Sequence, residues 1–123
     1  MTWPRHWNLG LIDQTQVRAF ADAARDHNEI HLSAEGAAKA GLKNGPIVHG
    51  MLIYGLVESC LTDVAGYALR RLNMQFVKPL LVGAELQIEA RPLVERPDEI
   101  LLRVVCRSGR EVTSIAEATL GRL

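Results

Sequence analysis

The sequence predicts an α+β domain in which an antiparallel sheet wraps around one long, buried helix. In the first half, apolar residues recur at helical spacing, whereas after Gly66 they alternate with polar residues, as strands do. Between these halves, residues 49 to about 64 are mostly apolar on every side and contain no proline, which is typical of a buried helix. The 123 residues are enough for one domain and too few for two, so we expect a single domain over residues 1–123.

Composition excludes several classes of protein. Apolar residues make up 48% and charged residues 23%, as in ordinary soluble domains. Fourteen basic and fourteen acidic residues cancel, which gives no electrostatic attraction to nucleic acid or an anionic membrane. The longest apolar stretch, residues 47–61, is shorter than the ~20 residues that a membrane helix needs. We therefore expect neither a nucleic-acid partner nor a membrane partner.

The cysteines and the amino-terminal residues bear on the compartment. Cys60 and Cys106 lie in apolar patterns and form no CxxC motif, which favours two buried free thiols over a disulfide or a nucleophile. The first residues contain no apolar region of the kind found in secretory signals. We expect a cytoplasmic protein.

Capping residues place the helices of the first half. Asp13, with Gln16 three residues later, forms a capping-box pattern and predicts a helix over about 14–25. Ser33 predicts the start of a short second helix over 34–40, which Gly41 ends. The apolar helix over 49 to about 64 is the third.

Four strands follow, and residues 8–11 are a candidate fifth. The short connections between the four predict an antiparallel meander in chain order. A sheet covered by one helix leaves an edge strand unpaired, and pairing with a second copy hides such an edge. We therefore expect a homodimer, the alternative being a monomer with a charged, twisted edge. The inward-facing residues expected in the four strands are Leu72, Met74 and Phe76; Leu86, Ile88 and Ala90; Ile100, Leu102, Val104 and Cys106; and Ala116, Ala118 and Leu120.

One acid–base pair stands out near the end of the first helix. Asp26 and His31 are separated by four residues that do not favour regular helix. Histidine titrates near neutrality, and a neighbouring carboxylate orients it or shares a water with it. The alternative is a chance pair, since sequence alone does not give their distance.

A second candidate site lies at the start of the apolar helix, at His49-Gly50-Met51. Backbone N–H groups at a helix N-terminus are unpaired, and the helix dipole favours negative charge there. Gly50 has no Cβ, so a carbonyl oxygen can approach its N–H closely, as in an oxyanion hole. The alternative is a loop–helix junction at which a glycine relieves crowding.

Together, these segments resemble a known family. The pattern Asp26-x-Asn28-x-x-His31, followed by Pro-Ile-Val-His-Gly-Met over 46–51 and Phe-Val-Lys-Pro over 76–79, resembles the MaoC-like dehydratases, or (R)-specific enoyl-CoA hydratases. The resemblance covers roughly residues 11–89. It implies the hot-dog fold, a long helix wrapped by an antiparallel sheet that dimerises by sheet extension.

The resemblance also implies a reaction. Asp26 and His31 would activate a water that adds to a trans-2-enoyl thioester of CoA or acyl carrier protein, giving the (R)-3-hydroxyacyl thioester. Gly50 would donate its N–H to the thioester oxygen. Asn28 is expected to hold the loop and approach the substrate, Met51 to contact it, and His49 to be structural or to neighbour it. No cofactor and no metal is expected, and the four histidines lack the spacing of zinc ligands.

Three positions depart from the family pattern. Arg25 and Glu29 replace a glycine and a proline that usually flank the Asp and the Asn, so we expect a less rigid loop. Glu58 stands in the apolar helix, where a serine is common. Glu58 is either exposed at the helix edge or is the carboxylate of a thioesterase on the same fold. The altered loop at Arg25 and Glu29 leaves open a second alternative, a non-catalytic acyl-thioester-binding subunit.

Overall fold

The computed structural model describes residues 2–123, which form five strands, three α-helices and a short 3-10 turn. Helix boundaries agree with the predicted ones to within two residues, and the candidate strand near residue 8 is real and longer. Across these residues no helix has the length and hydropathy needed to cross a bilayer. In chain order the elements are β1 (Arg5–Leu11), α1 (Gln14–Ala24), the 3-10 turn (Glu29–His31), α2 (Ala34–Lys39), α3 (Gly50–Thr62), β2 (Tyr67–Phe76), β3 (Glu85–Glu95), β4 (Glu99–Ser108) and β5 (Glu111–Arg122).

The five strands form one antiparallel sheet in the order β1-β3-β4-β5-β2. The predicted meander is therefore correct for β3, β4 and β5 and wrong for β2, which pairs with β5 instead of β3. The reason is that β1 pairs with the other edge of β3, so that Trp7 lies opposite Ile88. The chain from β2 to β3 leaves the sheet, and the buried Leu80 there accepts a hydrogen bond from Val48.

The predicted caps of α1 and α2 are confirmed. The Asp13 carboxylate accepts from the Gln16 N–H at 2.9 Å, and the Gln16 side chain accepts from the Asp13 N–H. The Ser33 hydroxyl accepts from the Gly36 N–H at 2.9 Å. Both caps satisfy N–H groups that a helix leaves unpaired in its first turn, so local chemistry fixes where each helix begins.

The core lies between α3 and one face of the sheet. Helix α3 presents Ile53, Val57 and Leu61 to the sheet, and all three are buried. Its opposite face, with Met51 and Glu58, is exposed. The expectation of burial on every side is thus wrong for the single chain, because one sheet covers only one side of a helix. Every inward-facing residue predicted for β3, β4 and β5 is buried.

Candidate active site

The loop between α1 and α2 carries the predicted acid–base pair. The Asp26 N–H donates to the Ala21 carbonyl at 3.0 Å, which fixes the loop to the end of α1. The Asn28 side chain accepts from the Ile30 N–H at 3.2 Å and so caps the 3-10 turn that ends at His31. Asn28 therefore holds the loop in the way that the sequence suggests.

Residues 46–48 bring the second motif against this loop. The Ile47 N–H donates to the Ile30 carbonyl at 2.9 Å, and Val48 donates to the Leu80 carbonyl at 2.8 Å. Nδ1 of His31 lies 2.8 Å from the Ile47 carbonyl oxygen. A carbonyl only accepts hydrogen bonds, so Nδ1 carries the hydrogen, and Nε2 of the neutral His31 ring keeps its lone pair. That arrangement makes Nε2 the basic atom of His31.

His49 lies at the centre of the arrangement. Its ring stacks on that of His31, with centroids 3.8 Å apart and an interplanar angle of 23°. The Phe20 ring contacts it at a centroid distance of 4.9 Å. Nε2 of His49 lies 3.1 Å from the Asp26 carbonyl oxygen and 4.0 Å from the Asp26 carboxylate. His49 is only 2% exposed, and its Nδ1 has no hydrogen-bond partner among residues 2–123.

The structure brings Asp26, His31 and His49 together. One carboxylate oxygen and one nitrogen of each ring lie within 4.8 Å of one another. His31 is buried, whereas the Asp26 side chain is 51% exposed, so the cluster opens to solvent at the carboxylate. An imidazole binds a metal ion through a lone pair in the plane of its ring, and stacked rings 3.8 Å apart direct such lone pairs side by side, so this geometry does not favour a metal ion.

The N-terminus of α3 lies beside this cluster, because Gly50 follows His49 directly. The N–H groups of a first helical turn lack acceptors within the helix, so the Gly50 N–H is available to a ligand oxygen. A Cβ at this position would lie only 3.0 Å from the Phe76 ring. Sequence reasoning gave Phe76 no part in the site, since no local signal links it to the start of α3. A groove of about 350 Å³ opens here, lined by Val48, Gly50, Ile53, Phe76, Val77, Lys78, Pro79 and Leu80.

Two other residues singled out from the sequence lie farther from the cluster. Met51 is 61% exposed on the first turn of α3, and its contact with substrate stays a prediction. Glu58 is exposed and lies eight residues along α3 from Gly50, about 12 Å along the helix axis. Within one chain, Glu58 therefore does not join Asp26 and His31.

Comparison with known proteins places the chain in a family. The chain is 32% identical over 114 residues to a 3-hydroxybutyryl-CoA dehydratase from Methylorubrum extorquens, covering 87% of this chain and 71% of that protein. It is 30% identical over 77 residues to a mitochondrial 3-hydroxyacyl-[acyl-carrier-protein] dehydratase from Arabidopsis thaliana, covering 62% of this chain and 46% of that protein. The chain thus spans less than half the length of the plant relative.

The fold has a close counterpart among solved structures. An (R)-hydratase from A. caviae, described as involved in PHA biosynthesis, superposes with a TM-score of 0.86 at 25% identity, over 100% of this chain and 98% of that one. The predicted hot-dog architecture is therefore confirmed. Residues 4–117 match the family model described as a MaoC-like domain. On this match, and on the agreement of fold and motifs, the chain belongs to the MaoC-like domain family.

Proposed function

We propose that the chain is an (R)-specific hydratase, or in reverse a dehydratase, that interconverts trans-2-enoyl and (R)-3-hydroxyacyl thioesters. Membership of the MaoC-like family and the names of the dehydratase and hydratase relatives support this proposal. The observation that carries it is the convergence of the Asp26 carboxylate and the His31 ring beside the N-terminus of α3. The acyl group is carried by CoA or by acyl carrier protein, and the chemistry uses no cofactor.

Asp26 and His31 are the groups that activate the water. A water with hydrogen bonds of about 2.8 Å to both groups can bridge a carboxylate oxygen and a ring nitrogen that lie within 4.8 Å of each other, as those of Asp26 and His31 do. Nε2 of His31 takes one proton from the water as the water oxygen bonds to C3 of the enoyl thioester. The Asp26 carboxylate accepts a hydrogen bond from the other O–H and orients the lone pair of the oxygen. The proton held on His31 then passes to C2, so that one water is added across the double bond.

The Gly50 N–H supports the same step. When water adds to C3, negative charge builds on the thioester oxygen as the carbonyl becomes an enolate. A backbone N–H aimed at that oxygen stabilises the charge, and losing one such donor typically costs about 10²–10³ in kcat. The positive end of the α3 dipole adds to the stabilisation. Both contributions need the thioester carbonyl to lie close to the Gly50 N–H, whereas the space that a side chain would take is already occupied by the Phe76 ring.

The test follows the loss of enoyl absorbance when the purified chain is mixed with crotonyl-CoA. We expect rapid loss with the natural sequence and a decrease in kcat of about 10²–10⁴ for Asp26→Asn. Asp22→Asn is the matched control, because Asp22 is an exposed carboxylate on α1 that contacts His27 at 2.8 Å and lies outside the site. It should react like the natural chain.

Other outcomes distinguish the alternatives. Release of free CoA without hydration would identify a thioesterase, which the exposed position of Glu58 disfavours in a single chain. Tight binding of the thioester with no turnover, for short and long acyl chains alike, would identify a binding subunit. Either result would refute the hydratase proposal.

The proposal includes assembly and location. We propose a homodimer, which is supported by the exposed apolar side chains of Met51, Phe76 and Val77 around the Gly50 groove and by β2 as an edge strand of the sheet. We also propose a cytoplasmic location, which the free thiols of Cys60 and Cys106 support because reducing compartments preserve thiols.

A further inference from the structure

We propose that His49 is a positioning residue: it clamps the Asp26 backbone against the His31 ring and so sets the geometry of the acid–base pair. This inference rests on the proposed hydratase function. In it, His49 positions Asp26 and His31 without touching the reacting atoms. Three observations carry it, namely the bond to Asp26, the stack on His31 and the unpaired nitrogen of a fully buried ring.

The hydrogen bond from His49 holds the loop at Asp26 itself, the residue that carries the carboxylate. A carbonyl oxygen accepts, so Nε2 of His49 carries the hydrogen and donates to Asp26 at 3.1 Å. The Asp26 N–H already donates to the Ala21 carbonyl, so both the backbone N–H and the backbone carbonyl of Asp26 are hydrogen-bonded. The preceding residue, Arg25, has the left-handed φ of 56°, a conformation that side chains other than glycine adopt at a cost. An external bond is therefore needed to hold the loop here.

The stack on His31 fixes the other half of the pair. The His49 ring is packed between His31, at 3.8 Å, and Phe20, at 4.9 Å. His31 is hydrogen-bonded through Nδ1 to the Ile47 carbonyl at one edge and covered by His49 on one face. Its ring is thus restricted in both tilt and rotation, which keeps Nε2 aimed in one direction.

The unpaired Nδ1 indicates that His49 is present for a reason other than packing. Buried polar atoms are nearly always hydrogen-bonded, and an unpaired one lowers stability. A phenylalanine would fill the same volume without that loss. What phenylalanine lacks is the Nε2–H that reaches Asp26, so this donor is the feature that distinguishes histidine at the position.

The test compares three variants of the full chain on crotonyl-CoA. His49→Phe keeps a ring in the stack and removes the donor, and a displacement of Asp26 by about 1 Å should lower kcat by ~10–100-fold. KM should stay within about twofold, because no substrate contact is lost. His49→Gln carries an amide N–H near the place of Nε2 and should recover most of the lost kcat.

Tyr54→Phe is the matched control. It removes another donor from α3, the hydroxyl that is 3.2 Å from the Leu72 carbonyl, away from the site. Its kcat should stay within about twofold of the natural value. A His49→Phe variant that reacts like this control, or that raises KM alone, would overturn the proposal.

Nitrogen NMR of the natural chain shows which ring nitrogen of His49 carries the hydrogen, and this measurement does not depend on activity. We expect His49 to be protonated at Nε2 and unprotonated at Nδ1, and His49→Gln to preserve the Asp26 amide signal that His49→Phe shifts. A protonated Nδ1 with a bare Nε2 would overturn the proposal, even in an active enzyme. A natural chain inactive on enoyl thioesters would refute the hydratase function, while these signals would still decide whether His49 holds Asp26.

Discussion

At the scale of single residues, the position of one hydrogen decides which atom of His31 would act as the base in the proposed mechanism. The Ile47 carbonyl holds the hydrogen on Nδ1, so in the proposed mechanism Nε2 is the atom that takes the proton from water. His31→Asn should preserve the bond to Ile47, because the asparagine amide nitrogen occupies nearly the place of Nδ1, and should remove the base.

We therefore expect His31→Asn to lower kcat by about 10²–10⁴ while its urea midpoint stays close to that of the natural chain. Rates come from the crotonyl-CoA assay and stability from urea unfolding followed by circular dichroism. An active His31→Asn variant would show that another group takes the proton.

Arg25 is strained, and glycine should relieve the strain. Its φ of 56° and ψ of 39° lie in the left-handed region, which costs a side chain about 1–2 kcal/mol. Arg25→Gly removes this cost but enlarges the freedom of the unfolded chain by about 0.5–1 kcal/mol. We expect the free energy of unfolding in urea to rise by up to about 1 kcal/mol, and a decrease would show that Arg25 makes a compensating contact.

At the scale of elements, α2 packs against the 3-10 turn that carries His31. The close contact between them is the one between Gly36 and Glu29. A Cβ on Gly36 would overlap the Glu29 Cβ and lie 2.6 Å from the Glu29 carbonyl oxygen. Gly36→Ala should therefore force α2 and the 3-10 turn apart. We expect a loss of about 1–3 kcal/mol in the free energy of unfolding together with a lower kcat, because His31 moves with the turn.

Gly55→Ala is the control for this substitution. Gly55 lies in the interior of α3 with nothing within 4 Å of a Cβ, so alanine there should raise helix stability by about 0.5–1 kcal/mol. If the two substitutions change the free energy of unfolding in urea by the same amount, the contact between Gly36 and Glu29 does not limit the residue at position 36.

Sequence alone predicts the elements better than it predicts how they meet. The caps at Asp13 and Ser33 depend on residues three apart, and strand alternation depends on residues two apart, so both are visible locally. The place of β2 beside β5 depends on β1 already occupying the edge of β3, which no local pattern records. The site divides in the same way: the motif residues were found, but the Ile47 carbonyl and the Phe76 ring reach them only through the fold.

At the scale of the whole molecule, the core should protect its thiols. Burial raises the pKa of Cys106 to about 12 and also raises that of the half-buried Cys60. Since the thiolate is the form that reacts, iodoacetamide at pH 8 should modify Cys60 slowly and Cys106 only after unfolding in urea. Mass spectrometry of the peptides measures this order, and early labelling of Cys106 would contradict it.

The same thiol makes stability depend on pH. The unfolded chain loses the Cys106 proton near the ordinary pKa of 9.0, whereas the folded chain keeps it until about 12. The free energy of unfolding should therefore fall as pH rises from 9 towards 12. Urea titrations at several pH values measure the slope, and Cys106→Ala should reduce it.

The proposed homodimer also belongs to this scale, and its support is the apolar surface that the single chain leaves exposed. Exposed Met51, Phe76 and Val77 lie around the Gly50 groove, and a net charge of zero offers little repulsion between copies. Sedimentation equilibrium should give twice the chain mass of 13.6 kDa. Val77→Asp should shift the equilibrium towards the monomer, because a carboxylate in an apolar contact loses its hydration. Leu93→Asp, at a similarly exposed apolar position on β3, should leave the dimer intact. A natural chain that sediments at 13.6 kDa would show that this apolar surface remains exposed to solvent.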